Sequence, residues 1–152
     1  MSHWVRCPRT HGDGVGDPWR EAFELAWESY QAGSPPVGAV VVGPDRVVAR
    51  GRSRRAEAAA PANQLAGSRL AHAEVNALAQ LGVDQHAGHE LFVTLEPCLL
   101  CWAAISIARV PEVRFAGRDP MWQFLGQMTS SHPVLADRAY AVTGPLLGPL
   151  GT

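Results

Sequence analysis

Short β-branched runs alternate with segments of helical period along this chain, and that alternation restricts the fold more than any other feature. Asp17-Pro18 pairs an N-cap residue with a proline whose fixed φ suits the first helical position. From there Ala22, Phe23, Ala26, Trp27 and Tyr30 recur at helical spacing until Gly33-Ser34-Pro35-Pro36 breaks the period. Val37 to Val42 is β-branched, Gly43-Pro44-Asp45 supplies turn residues, and Arg46 to Arg52 resumes an extended pattern, so a hairpin is predicted. Further on, the pattern predicts a helix from Ala71 to Leu81, a buried strand from Leu91 to Leu95, a helix from Pro97 to Ala108 and a strand from Val113 to Ala116. Residues 53–70 and 120–138 have no clean period, and Tyr140 to Thr143 fits either a strand or a helix. Such alternation calls for an α/β fold with helices on both faces of one sheet. The hairpin makes one strand pair antiparallel and helix-linked strands run parallel, so the sheet is mixed.

A chain of 152 residues supports one hydrophobic core, here residues 17–152 after a polar, glycine-rich tail at 1–16. All 13 basic side chains are arginine, which excludes a Schiff-base lysine and a phosphate-loop lysine. The formal net charge of −1 gives no general attraction to nucleic acid. No apolar stretch approaches the roughly 20 residues of a membrane span, and the N-terminus lacks a signal-like run, so a cytoplasmic protein with no membrane partner is expected. Three cysteines, two of them close together, fit a reducing compartment and metal or redox use better than a disulfide framework, and Cys7 in the tail is read as incidental.

The chemistry concentrates in two segments, His72-Ala73-Glu74 and Glu96-Pro97-Cys98-Leu99-Leu100-Cys101. Three residues apart at a helix start, Cys98 and Cys101 project from one face, and the helix N-terminus favours their thiolate forms. Two thiolates and one imidazole leave zinc a fourth position for water, the pattern of catalytic rather than closed structural sites, and His72 is the natural third ligand. Glu74 is then placed beside that position, where a carboxylate can take and return a proton. A C-x-x-C pair alone fits redox chemistry equally well, but a redox pair has no need of His72 and Glu74.

These motifs resemble the cytidine deaminase superfamily, and within it the branch of tRNA adenosine, guanine and cytosine deaminases. The resemblance rests on H-x-E at residues 72–74, P-C-x-x-C at 97–101, and the flanking runs PVGAVVV, LFVTLEPCLLC and FAGRDP, and it covers roughly residues 18–120. It implies a cytidine deaminase-like three-layer α/β/α sandwich with a mixed five-stranded sheet. It also implies one zinc per chain on His72, Cys98 and Cys101, Glu74 as proton shuttle, and commonly a homodimer. Ala73 would offer its backbone N–H to the substrate ring. Ser53 falls where relatives carry an asparagine that contacts sugar or base, and its lone hydroxyl makes ribose recognition weaker. Trp102, Trp122 and Phe124 offer flat faces to a planar substrate, although an aromatic in a helix more often belongs to the core, and Asp119 either orients substrate or caps a turn.

Arg50, Arg52 and Arg54 share a strand face, with Arg55 and Arg69 near in sequence, and read either as phosphate contacts or as a solvated edge. The neutral overall charge favours the edge. No basic residue follows Arg138, whereas tRNA deaminases of this branch tend to finish with a basic helix. The expected function is therefore zinc-dependent hydrolytic deamination of a small free nucleobase or nucleoside, with water as co-substrate and nucleic acid an unlikely partner. The alternatives are a tRNA adenosine-to-inosine deaminase and a catalytically silent zinc-binding interaction module.

Overall fold

The structure, a computed structural model, describes residues 17–84, 87–122 and 141–144. The proposed tail, Cys7, Phe124 and most of the segment 120–138 lie outside the described residues. The elements run in the order α1 (Pro18–Gln31), β1 (Gly38–Val42), β2 (Val47–Arg52), α2 (Ala73–Leu78), β3 (Glu90–Leu95), α3 (Leu99–Ala108), β4 (Glu112–Gly117) and β5 (Ala141–Thr143). Of the run 140–143, ambiguous in sequence, Ala141–Thr143 forms the short strand β5, whereas the expected helix 71–81 is confined to α2.

The strands form a mixed sheet in the order β2-β1-β3-β4-β5. β1 pairs antiparallel with both β2 and β3, while β3–β4 and β4–β5 are parallel. The segment carrying α2 therefore steps from β2 over β1 to β3. As a consequence β2, β3 and β4 all run the same way, and their carboxyl ends open at one edge of the sheet. In open α/β sheets that edge is where ligands bind.

β1 is buried along its whole length because both of its faces are covered, which explains a continuous apolar run where a half-exposed strand would alternate. Ala39 and Val41 join Leu91, Val93, Trp102, Ile105 and Val113 in a core under α2 and α3. Val40 and Val42 face the other way and pack with Ala22 and Phe92 under α1. Trp19 closes that second core edge-on against Phe92, with ring centroids 5.2 Å apart. Arg114, nearly buried in β4, is held by Glu90 at 2.9 Å and lies over the Phe92 ring, so its charge is paired where the sheet excludes water.

Asp17 caps α1 as its sequence suggests, accepting from the N–H groups of Trp19 and Arg20. Yet α1 turns its small residues inward. Ala22, Ala26 and Ser29 are buried, whereas Phe23, Trp27 and Tyr30 are exposed. The reason is contact distance: a Cβ on Gly38 would stand 2.0 Å from the carbonyl oxygen of Ala22, so the helix rests directly on the strand backbone.

A second close approach positions the functional segment. A Cβ on Gly51 in β2 would stand 2.3 Å from both the Ala73 carbonyl oxygen and the Ala77 nitrogen of α2. Gly51→Ala should therefore push α2 off the sheet and destabilise the fold by about 2 kcal/mol. The check is a lower urea midpoint with an unchanged m-value; an unaltered midpoint would show that α2 adjusts freely.

Candidate active site

His72 precedes α2 as its N-cap in extended conformation, and Cys98 holds the same position before α3. The two helix starts face each other at the open edge of the sheet. Nδ1 of His72 lies 3.6 Å from Sγ of Cys98 and 3.3 Å from Sγ of Cys101, and the two sulfurs are 3.6 Å apart. Among the described residues, this is the group of histidine, cysteine and carboxylate side chains able to hold a metal ion. Zinc bonds of about 2.3 Å to sulfur and about 2.0 Å to nitrogen require tetrahedral edges of about 3.8 Å and about 3.5 Å. The donor atoms already lie within a few tenths of an ångström of those spacings, so zinc fits without rearrangement.

Each of the three groups shifts the protonation of the others. The hydrogen bond shared with Cys101, aided by that to His72, pulls the Cys98 thiol down to about 4 against the opposing effect of burial. Cys101 is pushed up, first by that same bond and then by its burial. His72 is raised by its bond to the Cys98 sulfur. An imidazole and two sulfurs that compete for so few protons are a donor set that a divalent cation displaces protons from.

Glu74 follows within the first turn of α2, is 4% exposed, and lines the same cavity. Burial raises its pKa, partly offset by hydrogen bonding to its own backbone and to Cys101. The cavity measures about 750 Å³, within the range of small-molecule sites. Its walls come from the ends of three co-directional strands: Ser53 and Arg55 after β2, Leu95 and Glu96 at the end of β3, and Asp119 after β4.

His72, Glu74, Cys98, Ser53, Ala73, Asp119 and Trp122 line this cavity, and Cys101 is buried behind it against Cys98. Ser53 is 2% exposed and its Oγ has no hydrogen-bond partner among the described residues. Ala73 is fully buried at the cavity wall. Asp119 uses Oδ1 to accept from the N–H groups of Met121 and Trp122, a turn cap that also fixes Trp122 at the rim. Trp102, by contrast, belongs to the core under α3. Two features escaped sequence reading. Glu96 is buried at the cavity wall, its nearest cation Nη1 of Arg118 at 3.9 Å. Asn76, four residues after His72 and fully buried, accepts from Leu65 N–H and donates to the carbonyls of Arg52 and Leu65. An amide four positions after a ligand, on an otherwise apolar helix face, was the available signal.

Residues 18–117 match the sequence profile of the cytidine and deoxycytidylate deaminase zinc-binding region. A tRNA-specific adenosine deaminase of Streptococcus pyogenes serotype M18 is 33% identical over 132 residues, covering 78% of this chain and 77% of that protein. A solved structure described as a tRNA:A34 deaminase, which edits A to I at the wobble position of transfer RNA, superposes with a TM-score of 0.68 at 32% identity, covering 82% of this chain and 93% of the other. A guanine deaminase from Bacillus subtilis gives 0.57 at 31% identity, covering 66% and 62%. The likeness to the tRNA enzymes overturns two expectations: that the substrate is a small free nucleobase or nucleoside, and that nucleic acid is an unlikely partner. Net charge misled because it averages over the chain. Arg50, Arg52 and Arg54 are neutralised by Glu21, Glu28 and Glu57, while Arg55 and Arg69 stand at the cavity.

Two measurements follow from this geometry. Purified protein should carry roughly one zinc per chain, His72→Ala and Cys101→Ala should carry almost none, and Glu74→Gln should keep its metal. Elemental analysis reads all three, and metal retained in Cys101→Ala would exclude this donor set. Asn76→Ala should cost about 2 kcal/mol, because it orphans buried backbone groups, and should speed amide exchange at Leu65.

Proposed function

The chain belongs to the family of the cytidine and deoxycytidylate deaminase zinc-binding region, and from that premise we propose that it deaminates adenosine within a transfer-RNA anticodon, yielding inosine and ammonia. It is a hydrolase acting on carbon–nitrogen bonds and takes one zinc ion. The observation that carries the RNA substrate is the extent of likeness to the tRNA enzymes, which reaches over 93% of the tRNA:A34 deaminase chain.

We assign His72, Cys98 and Cys101 as the zinc ligands, in keeping with their mutual distances. Zinc bound there supplies the Lewis acidity that makes water nucleophilic near neutral pH. Glu74, buried beside the donor group, takes a proton from the water and passes it to the departing nitrogen. Oxygen bonds to C6 of adenine and the bond from C6 to the exocyclic nitrogen breaks, so water and adenosine are consumed as inosine and ammonia form. The unpartnered hydroxyl of Ser53, the backbone N–H of Ala73, and the pair Asp119 and Trp122 at the rim hold the nucleoside in place. A hydroxyl and a backbone amide are short-reach partners, suited to a base pressed against the wall of the cavity.

The same proposal takes residues 17–152 as one deaminase domain, a three-layer α/β/α sandwich with five strands, after a tail at 1–16. It also places the protein in the cytoplasm as a homodimer. No helix among the described residues is long and apolar enough to cross a membrane, and α3 leaves Leu99, Leu100 and Ile107 exposed to a partner.

The test is inosine formation on an anticodon stem–loop RNA with adenosine at the wobble position, followed by mass spectrometry of the digested product. Wild-type protein should convert it, and Glu74→Gln should lose activity by roughly 10²–10⁴-fold while retaining zinc. Turnover of free guanine with none of the stem–loop would refute the proposal.

A further inference from the structure

Five arginines lie on β2 and the segment leading from it to α2, and their partners divide them into two sets. Arg50 pairs with Glu21 at 2.9 Å, Arg52 with Glu28 at 3.3 Å and also with Glu57, and Arg54 with Glu57 at 2.6 Å and Gln64 at 3.1 Å. These three fasten the segment to the domain. Arg55 and Arg69 do not: both are exposed, both line the cavity, and neither meets a carboxylate in an ion pair among the described residues.

The backbone brings the two together. Arg54 N–H donates to the Ala71 carbonyl at 3.0 Å, and Gly67 N–H donates to the Arg54 carbonyl at 3.0 Å. The ends of the segment are thereby closed against each other, with Arg55 just beyond one end and Arg69 between the two contacts of the other. Of the carboxylates of the cavity, Glu74 is bonded to Cys101 and Asp119 is held in its turn cap, while Glu96 stands 3.9 Å from Arg118.

Arg55 instead meets Nε2 of His72, at 2.6 Å from its Nη2. Nδ1 is the atom that faces the two sulfurs. Arg55 therefore stands between the donor group and the cavity, where its other N–H groups meet no carboxylate among the described residues.

The geometry points to a phosphate-binding rim: Arg55 and Arg69 hold a backbone phosphate of the RNA strand beside the nucleotide whose base enters the cavity, an assignment that rests on the RNA reading above. A forked planar donor matches a phosphate in two parallel hydrogen bonds, and neither arginine has to give up a carboxylate to make them.

The experiment compares zinc-loaded wild type with Arg55→Gln, Arg69→Gln and the double variant. It uses steady-state kinetics on the adenosine stem–loop, and fluorescence anisotropy with the inosine product stem–loop, which cannot turn over. Each single variant should raise KM roughly tenfold with kcat nearly unchanged. The double variant should flatten the slope of log Kd against log salt by about 0.7, the loss of one neutralised single-strand phosphate. Arg55→Lys with Arg69→Lys should restore most of the slope, and Arg50→Gln, whose arginine is occupied by Glu21, should leave it unchanged. Zinc content and far-ultraviolet circular dichroism report that the variants remain folded. Wild-type turnover with wild-type KM and salt slope in the double variant would overturn the rim while leaving the RNA reading intact. Absence of inosine with wild type would overturn the RNA reading, and the rim with it.

Discussion

The meeting of one imidazole nitrogen with two sulfurs, 26 and 29 residues further along the chain, is the constraint that the rest of the structure serves. Neither side can reach the other alone. His72 is carried by the segment after β2, pressed onto the sheet where Gly51 has no side chain to hold α2 away. Cys98 and Cys101 are carried by β3 and α3, anchored by Trp102 and Ile105 in the core. An error of an ångström in either placement would separate the donors, so the close packing at Gly51 and beneath α3 acts directly on the chemistry.

Topology adds the second requirement. Because the connection through α2 passes over β1, three strands point their carboxyl ends at one edge, and the loops that leave them supply the walls of a single cavity. Asn76 ties this edge together from below, holding the backbone of Leu65 and of Arg52 with one buried amide. The long segment between β2 and α2 is thus ordered by a few polar contacts, in a region with little apolar surface to bury. Such a segment can differ in length and charge without disturbing the core, which makes it a natural place for substrate preference to reside.

Charge shows why location matters more than totals. The chain is nearly neutral, and five of its 13 arginines fall within residues 46–55. Their partners come from two separate parts of the fold: Glu21 and Glu28 on α1, and Glu57 within the loop itself. A stretch that reads as a solvated basic edge is therefore mostly an internal fastening, and the cations left over face the cavity. Ion pairs formed across the fold cannot be counted along the chain.

The sequence by itself determined much of this protein. The spacing of Cys98 and Cys101, with Glu74 two residues after His72, specified the donor types, because local helix geometry fixes which neighbouring side chains share a face. The β-branched runs and the Asp17-Pro18 start specified the strands and the first helix, since those signals act within a few residues. Only the tertiary structure decided which face of α1 turns inward, that Asn76 spans two segments, that Trp102 belongs to the core while Trp122 stands at the rim, and which cavity arginines meet no carboxylate among the described residues. Each of those depends on contacts between residues far apart in the chain, and such contacts exist only once the layers have packed.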